Sequence, residues 1–270
     1  MANMSRRDFV VALAGASTAL LAGCSSNSGS NSQSTSGASS YTLVEEGKLT
    51  VAAELGFAPF EYMEGDTVVG FDVDLIAAVA QKMGLESSYL GNQKFDTLVP
   101  LVKQGGKCDV AIAGITITDE RKSEIDFSEA YLDSNQAIVV KKGSGETDAT
   151  LNAAGKKVAC QSGTTGDEWI TENLAGAERV PLDDVTAALT GVSTGLYNAM
   201  VIDLPVASYM LTQSFADLEV VKQIPTGEQY GIAVSKDNPK LTEAINKALE
   251  ELQSDGTMAQ IKTKWFGSEI

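Results

Sequence analysis

The sequence of 270 residues contains no histidine. That removes imidazole both as a base near neutral pH and as a metal ligand. Cysteine is scarce as well: Cys24, Cys108 and Cys160 are the three present. The last two stand in apolar, strand-like runs, which suits buried thiols, although an exported protein could also join them. Cationic residues are outnumbered, with 20 Lys and Arg against 36 Asp and Glu and a net charge of −16. Nucleic-acid binding rests on neutralising phosphates, so this balance excludes it as a partner, while favouring solubility. There is no GK[ST] phosphate loop and no short internal repeat. The long apolar run at the start, Phe9 to Ala22, falls short of the roughly 20 residues that a spanning helix takes. No metal and no cofactor is expected from what remains.

What is present at the start has a recognisable order. Two arginines, Arg6 and Arg7, precede that apolar run, and LAGC follows it at 21–24. A basic head, an apolar middle and small residues before a break make an export signal. SRRDFV resembles the twin-arginine export motif. LAGC resembles a lipobox, whose cysteine becomes the lipidated first residue of the mature chain. The stretch SSNSGSNSQSTSGASS at 25–40 has nothing to anchor a core and makes a flexible tether. The expected layout is an export signal at 1–23, then a lipidated Cys24 with its tether to 40. The protein would then sit outside the cytoplasm, lipid-anchored to the cell membrane.

Beyond the tether, strands and helices alternate. LTVAAEL (49–55) reads as a strand. DVDLIAAVAQKMG (72–84) reads as a helix with Asp72 as its N-cap. CDVAIAGI (108–115) is short and apolar enough for a buried parallel strand. The pattern restarts with strands at QAIVVKK, KKVACQ and NAMVID, each followed by a helical segment. QYGIAVSK (229–236) reads as another strand, and two helices close the sequence. Such alternation predicts an α/β fold with parallel-rich sheets. In open α/β sheets ligands bind beyond the C-terminal ends of strands. Here those ends carry Glu54, Gly114 to Thr116, Gln161 and Asp203.

The residue types at these ends suit a zwitterion. Arg121, in AGITITDERKSEIDFSEAY, offers a planar fork for a carboxylate, and Thr116 adds a hydroxyl and an amide. Taken alone, DERKSE also suits a solvated face. SGTTG at 162–166 follows a strand and opens a helix, whose free amides favour anions; capping would place the same residues there. Asp203 ends an apolar strand and either caps the next helix or faces a cation. Phe57 and Phe95 stand near strand ends, as core residues or as walls. Together they make an anion clamp, a cation acceptor and aromatic walls, which is the chemistry of a free α-amino acid.

From about Lys48 to Gly267 the sequence resembles the polar amino-acid-binding family of solute-binding proteins that feed ABC importers. The resemblance rests on GFAPFEY (56–62), VGFDVDL (69–75), AGITITDERKSEIDFSEAY, GKKVACQSGTTG (155–166), EQYGIAVSK (228–236) and KWFG (264–267), in family order. It implies two α/β lobes of the type II periplasmic-binding-protein kind, joined by two hinge strands, with ligand in the cleft. Lobe 1 would be 41–132 plus 229–270, and lobe 2 would be 135–226. It also implies roles. Arg121 would grip the α-carboxylate, helped by amides of Thr116 and Thr165. The Gly114 carbonyl, the Thr116 hydroxyl and Asp203 would take the α-ammonium. Phe57 and Phe95 would flank the side chain, whose tip would meet Glu54, Gln161 and Ile202.

Glutamine binders of this family commonly carry aspartate at the Glu54 position, and some carry lysine at the Gln161 position and histidine at the Ile202 position. The departures order the expected ligands as glutamine or another polar neutral amino acid, then basic amino acids, then cystine. The expected partners are an ABC permease and its ATPase, and no catalysis is expected. Two rival readings are a cyclohexadienyl dehydratase on the same fold and a ligand-sensing receptor subunit.

Overall fold

The computed structural model describes residues 41–267. The export signal, the lipobox with Cys24 and the whole tether lie outside the described residues. The first half-lobe opens with β1 (Lys48–Ala53), followed by a small antiparallel sheet of β2 (Gly56–Phe57), β3 (Glu61–Glu64) and β4 (Thr67–Val69). Then come α1 (Phe71–Lys82), β5 (Glu86–Asn92), α2 (Phe95–Gln104), β6 (Val110–Ala111), α3 (Asp119–Glu124) and β7 (Asp126–Phe127). The chain crosses on β8 (Leu132–Lys141) and continues through α4 (Asp148–Leu151), β9 (Lys157–Gln161), α5 (Thr165–Asn173) and β10 (Glu178–Leu182). α6 (Val185–Thr194), β11 (Ala199–Asp203) and α7 (Leu204–Gln213) complete this second region, and β12 (Leu218–Tyr230) leads back. β13 (Ala233–Val234), α8 (Pro239–Ser254) and α9 (Thr257–Phe266) close the described chain.

Two five-stranded sheets result, ordered β5-β1-β6-β13-β7 and β10-β9-β11-β8-β12. Each is less parallel than simple alternation suggests. β1 pairs in parallel with β5 and β6, but β13 runs antiparallel to β6 and β7. In the other sheet β9 pairs in parallel with β10 and β11, while β8 is antiparallel to β11 and β12. The strands that run against their neighbours are β13, after the chain returns, and β8, on which it first crosses. β8 and β12 pair from Tyr230↔Leu132 to Leu218↔Lys141, with a break between Ile224 and Glu228. This long ribbon carries the chain from one sheet to the other and back, so its first residues stand at the junction of the lobes.

Three elements differ from the sequence expectation. β6 spans Val110–Ala111 only, because the apolar run turns away from the sheet before Gly114. QYGIAVSK divides between the end of β12 and β13. Gly231 lies at the division, where an added Cβ would stand 2.9 Å from Ile117. Asp72 is not an N-cap: α1 is capped by Gly70 at φ 143°, without a side-chain bond, and Asp72 is buried inside its first turn. Cys108 and Cys160 are buried free thiols. Among the described residues no helix is long and apolar enough to cross a membrane, and no cluster of acidic or cysteine side chains could hold a metal ion.

Candidate functional site

The chain leaving β6 turns at Gly114, whose φ is 54°, in the left-handed region that costs other residues energy. A Cβ there would also meet the Phe57 ring at 2.9 Å. Asp72 reaches this turn from α1. Its Oδ2 accepts from the Gly114 amide at 2.9 Å and from the Tyr131 hydroxyl at 2.9 Å. Burial pushes Asp72 up to about 6, against these bonds. Neighbouring Glu61, also fully buried, is held well above the carboxylate range by burial first and by Asp72 next. The turn that presents Gly114 and Thr116 is thus fixed from behind by an acid buried in the core.

Thr118 caps α3 by accepting from the Arg121 amide at 3.2 Å, which sets Arg121 on the cleft side of the helix. Arg121 is 8% exposed. Its Nη1 donates to the Thr116 carbonyl at 2.8 Å, and its Nη2 to the Gly163 carbonyl across the cleft at 3.0 Å. The guanidinium carbon lies 5.4 Å from the Phe95 ring centre. No carboxylate forms an ion pair with Arg121 among the described residues. Burial lowers its pKa from an ordinary value far above neutrality, so it remains a cation.

Asp203, at the end of β11, is likewise 8% exposed. It holds the N-cap position of α7 but makes no side-chain cap bond. Its Oδ1 instead accepts a short bond from Gln136 Nε2. Burial pushes this carboxyl up to about 7, with the charge of Glu228 adding to the shift. Thr164 caps α5 and accepts from the Asp167 amide at 3.2 Å, so Thr165 stands in the first turn with its amide at the helix N-terminus.

The far end of the cleft is built differently. Glu54 follows β1 and Gln161 ends β9, and Gln161 Nε2 donates to Glu54 Oε2 at 2.7 Å. Glu54 is 5% exposed, and burial pushes it up to about 7 despite that bond, with Asp184 and Asp183 adding negative field. Gln161 Oε1 is buried with no hydrogen-bond partner in the protein. Across the rim Lys94 pairs with Asp183 at 2.5 Å. Ile202 is packed in the hydrophobic core.

The structure therefore gathers Arg121, Gly114, Thr116, Phe57 and Phe95 from one sheet's loops and brings Thr165, Gln161 and Asp203 from the other against them. Two residues were missed in the sequence, Gln136 on β8 and Glu228 on β12. Gln136 Nε2 contacts Thr165 Oγ1 at 3.2 Å and Glu228 Oε2 at 3.1 Å. A buried amide opening the apolar run QAIVV was the available sign for Gln136.

Comparisons with known proteins identify the family and the fold. The sequence is 32% identical over 228 residues to the L-cystine-binding protein TcyJ of Escherichia coli K12, covering 84% of this chain and 85% of that protein. It is 31% identical over 254 residues to the arginine-binding extracellular protein ArtP of Bacillus subtilis, covering 93% and 94%. A solved structure of an ancestral arginine-binding protein bound to glutamine superposes with a TM-score of 0.77 at 41% identity, over 83% of this chain and 100% of that one. The sequence model of the bacterial extracellular solute-binding proteins, family 3, matches residues 49–268, and the chain belongs to that family.

Proposed function

We propose that this protein binds a free L-amino acid between its lobes and delivers it to an ABC permease driven by its ATPase. One observation carries the reading. Arg121 and Asp203 are both buried in the same cleft, and no ion pair joins them to each other or to another partner among the described residues. Unpaired buried charge is costly. A zwitterion of opposite arrangement supplies both missing partners at once, its carboxylate on Arg121 and its ammonium on Asp203. The Gly114 carbonyl and Thr116 would complete the ammonium site, with Thr165 at the carboxylate.

The tip end narrows the ligand class. Glu54 carries acceptor oxygens, and Gln161 Oε1 is buried without a donor. A side chain that only donates fits there best, so guanidinium or ammonium ligands come first and the glutamine amide second. A carboxylate tip meets Glu54, Asp183 and Asp184 and is disfavoured. Phe57 and Phe95 wall the stem. Lobe 1 (41–132 plus 229–270) and lobe 2 (135–226) close on the ligand, a hinged two-state change that the permease recognises. Cys24 anchors the protein outside the cytoplasm, on a tether long enough to clear the membrane.

Asp203 and Glu54 are taken up by the ammonium and the side-chain tip of an α-amino acid in this reading, which supports binding without catalysis. Incubation with prephenate or arogenate should leave both unchanged. A thermal-shift screen of the amino acids, with cystine and ornithine, tests the main reading. A ligand binding only the folded protein adds about 4 kcal/mol at a thousandfold excess over its Kd. L-Arginine or L-lysine should give the largest shift, L-glutamine a smaller one and L-glutamate none. A screen with no shift for any α-amino acid would overturn the proposal.

A further inference from the structure

Glu228 lies on β12 where the ribbon joins the lobes, half-buried beside Asp203. One of its oxygens, Oε2, accepts three bonds. They come from Thr116 Oγ1 at 3.1 Å, from Thr165 Oγ1 at 2.9 Å and from Gln136 Nε2 at 3.1 Å. The donors belong to three separate segments, and one of them, the Thr116 hydroxyl, is assigned to the ammonium site.

A hydroxyl has one proton to give and two lone pairs to receive. A carboxylate takes that proton in a charge-assisted bond. With both threonine protons drawn toward Glu228, the lone pairs of Thr116 are left for other partners, while Thr165 Oγ1 already accepts from Gln136 Nε2 at 3.2 Å. Gln136 spends its amide hydrogens in the same direction, on Asp203 and Glu228. Asp203 and the Gly114 carbonyl have only acceptors to offer. The polarity of the whole pocket is therefore set one way.

We propose that Glu228 is a positioning residue that fixes specificity for an α-ammonium group. By holding the threonine hydroxyl protons away from the ligand, it makes the pocket a set of acceptors. An ammonium brings three donors to them. An α-hydroxyl brings one, and its own lone pairs face those of the pocket. A site built to bond a donor rejects the analogue lacking it far more strongly than an apolar pocket can. Glu228→Gln keeps the shape but removes the charge, and its amide can donate to the threonines. Their protons would then turn toward the ligand.

The inference rests on reading this cleft as an amino-acid site, and the test separates the two. Titration calorimetry and competition would compare L-arginine and L-glutamine with their 2-hydroxy counterparts on wild type and Glu228→Gln. The L-amino acids should weaken roughly ten- to a hundredfold, the range for a bond to a charged group, while the hydroxy acids change little. The amino-to-hydroxy preference falls by the same factor. Thr116→Val should then cost much less in the variant than in wild type, since Glu228 acts through that hydroxyl. Glu228→Ala gives the same comparison if the glutamine variant does not fold. Equal weakening of amino and hydroxy acids would make Glu228 a structural hinge residue and overturn the proposal. So would L-amino-acid affinities within threefold of wild type. Wild type binding none of the L-amino acids would overturn the underlying reading as well.

Discussion

The two ends of the cleft are built by different means. At the handle end, the groups are held by backbone and by core: Gly114 by a left-handed turn pinned to buried Asp72, and Arg121 by a capped helix and two carbonyls. At the tip end, two long side chains from opposite lobes, Glu54 and Gln161, meet each other, and Gln161 Nε2 also donates to the Asp183 carbonyl at 3.2 Å. Under the proposed function, the handle would be the same for every α-amino acid, while the tip would change ligand by changing one or two side chains. Relatives that are named for cystine and for arginine are consistent with such a division.

The largest effect expected at the handle is loss of its cation. Removing one member of a buried pair costs about 3–5 kcal/mol, on the order of 10²–10⁴ in Kd. Arg121→Ala should weaken every bound amino acid by that much in titration calorimetry, with the ligand-free melting temperature little changed. Arg121→Lys should restore only part, because a point charge lacks the fork, and Lys122→Ala should do little. A loss below fivefold would make Arg121 a structural residue and erase the contrast between the ends.

Next comes Gly114→Ala. A left-handed alanine costs roughly 1–2 kcal/mol, or about 2–8 °C in a domain of this size, and its methyl strikes the Phe57 ring. Both a lower melting temperature and a uniform loss of affinity, about tenfold, are expected. A variant melting like wild type would show that the turn is not constrained as described.

Protons should act on both ends together. Asp203 and Glu54 are each pushed up to about 7 by burial. A bound cation favours their charged forms, so a proton must leave on binding below that pH. Affinity for L-arginine should therefore rise by about tenfold or more between pH 5.5 and 7.5. In the ligand-free protein the sign is opposite. These carboxyls are easier to protonate folded than unfolded, so the stability they contribute is full below the unfolded value and is lost as pH rises through 7. Affinity that is flat across this range would place both groups in water. The smallest effect belongs to the rim. The Lys94–Asp183 pair is half exposed on both sides and worth about 0–1 kcal/mol, so Lys94→Ala should change Kd less than fivefold.

The residues proposed for the handle stand out in the sequence because they punctuate strand ends. Gly114 breaks an apolar run, Arg121 follows it, and Asp203 finishes one. The α/β alternation pointed to the fold class, and the family resemblance to the two lobes, but both overstated the parallel character, since β13 and β8 enter their sheets against the direction of the strands beside them. Asp72 looked like a cap because it begins a helical pattern. Its actual partner, the Gly114 amide, lies 42 residues away, and no local pattern reports that. Glu228 was hidden for the same reason: Thr116 and Gln136 are 112 and 92 residues distant. Side chains whose partners meet only through the hinge carry no periodic trace in sequence.

The division between the ends is tested most directly by the ratio of Kd for L-glutamine to Kd for L-arginine, measured by titration calorimetry on wild type and Glu54→Gln. The substitution removes the charge facing the ligand tip and leaves the handle untouched. A charge-assisted bond is roughly twice as strong as a neutral one, so the preference for arginine should fall by about tenfold, with glutamine affinity nearly unchanged. Equal weakening of both ligands, with the ratio preserved, would put Glu54 outside the side-chain pocket and contradict the account.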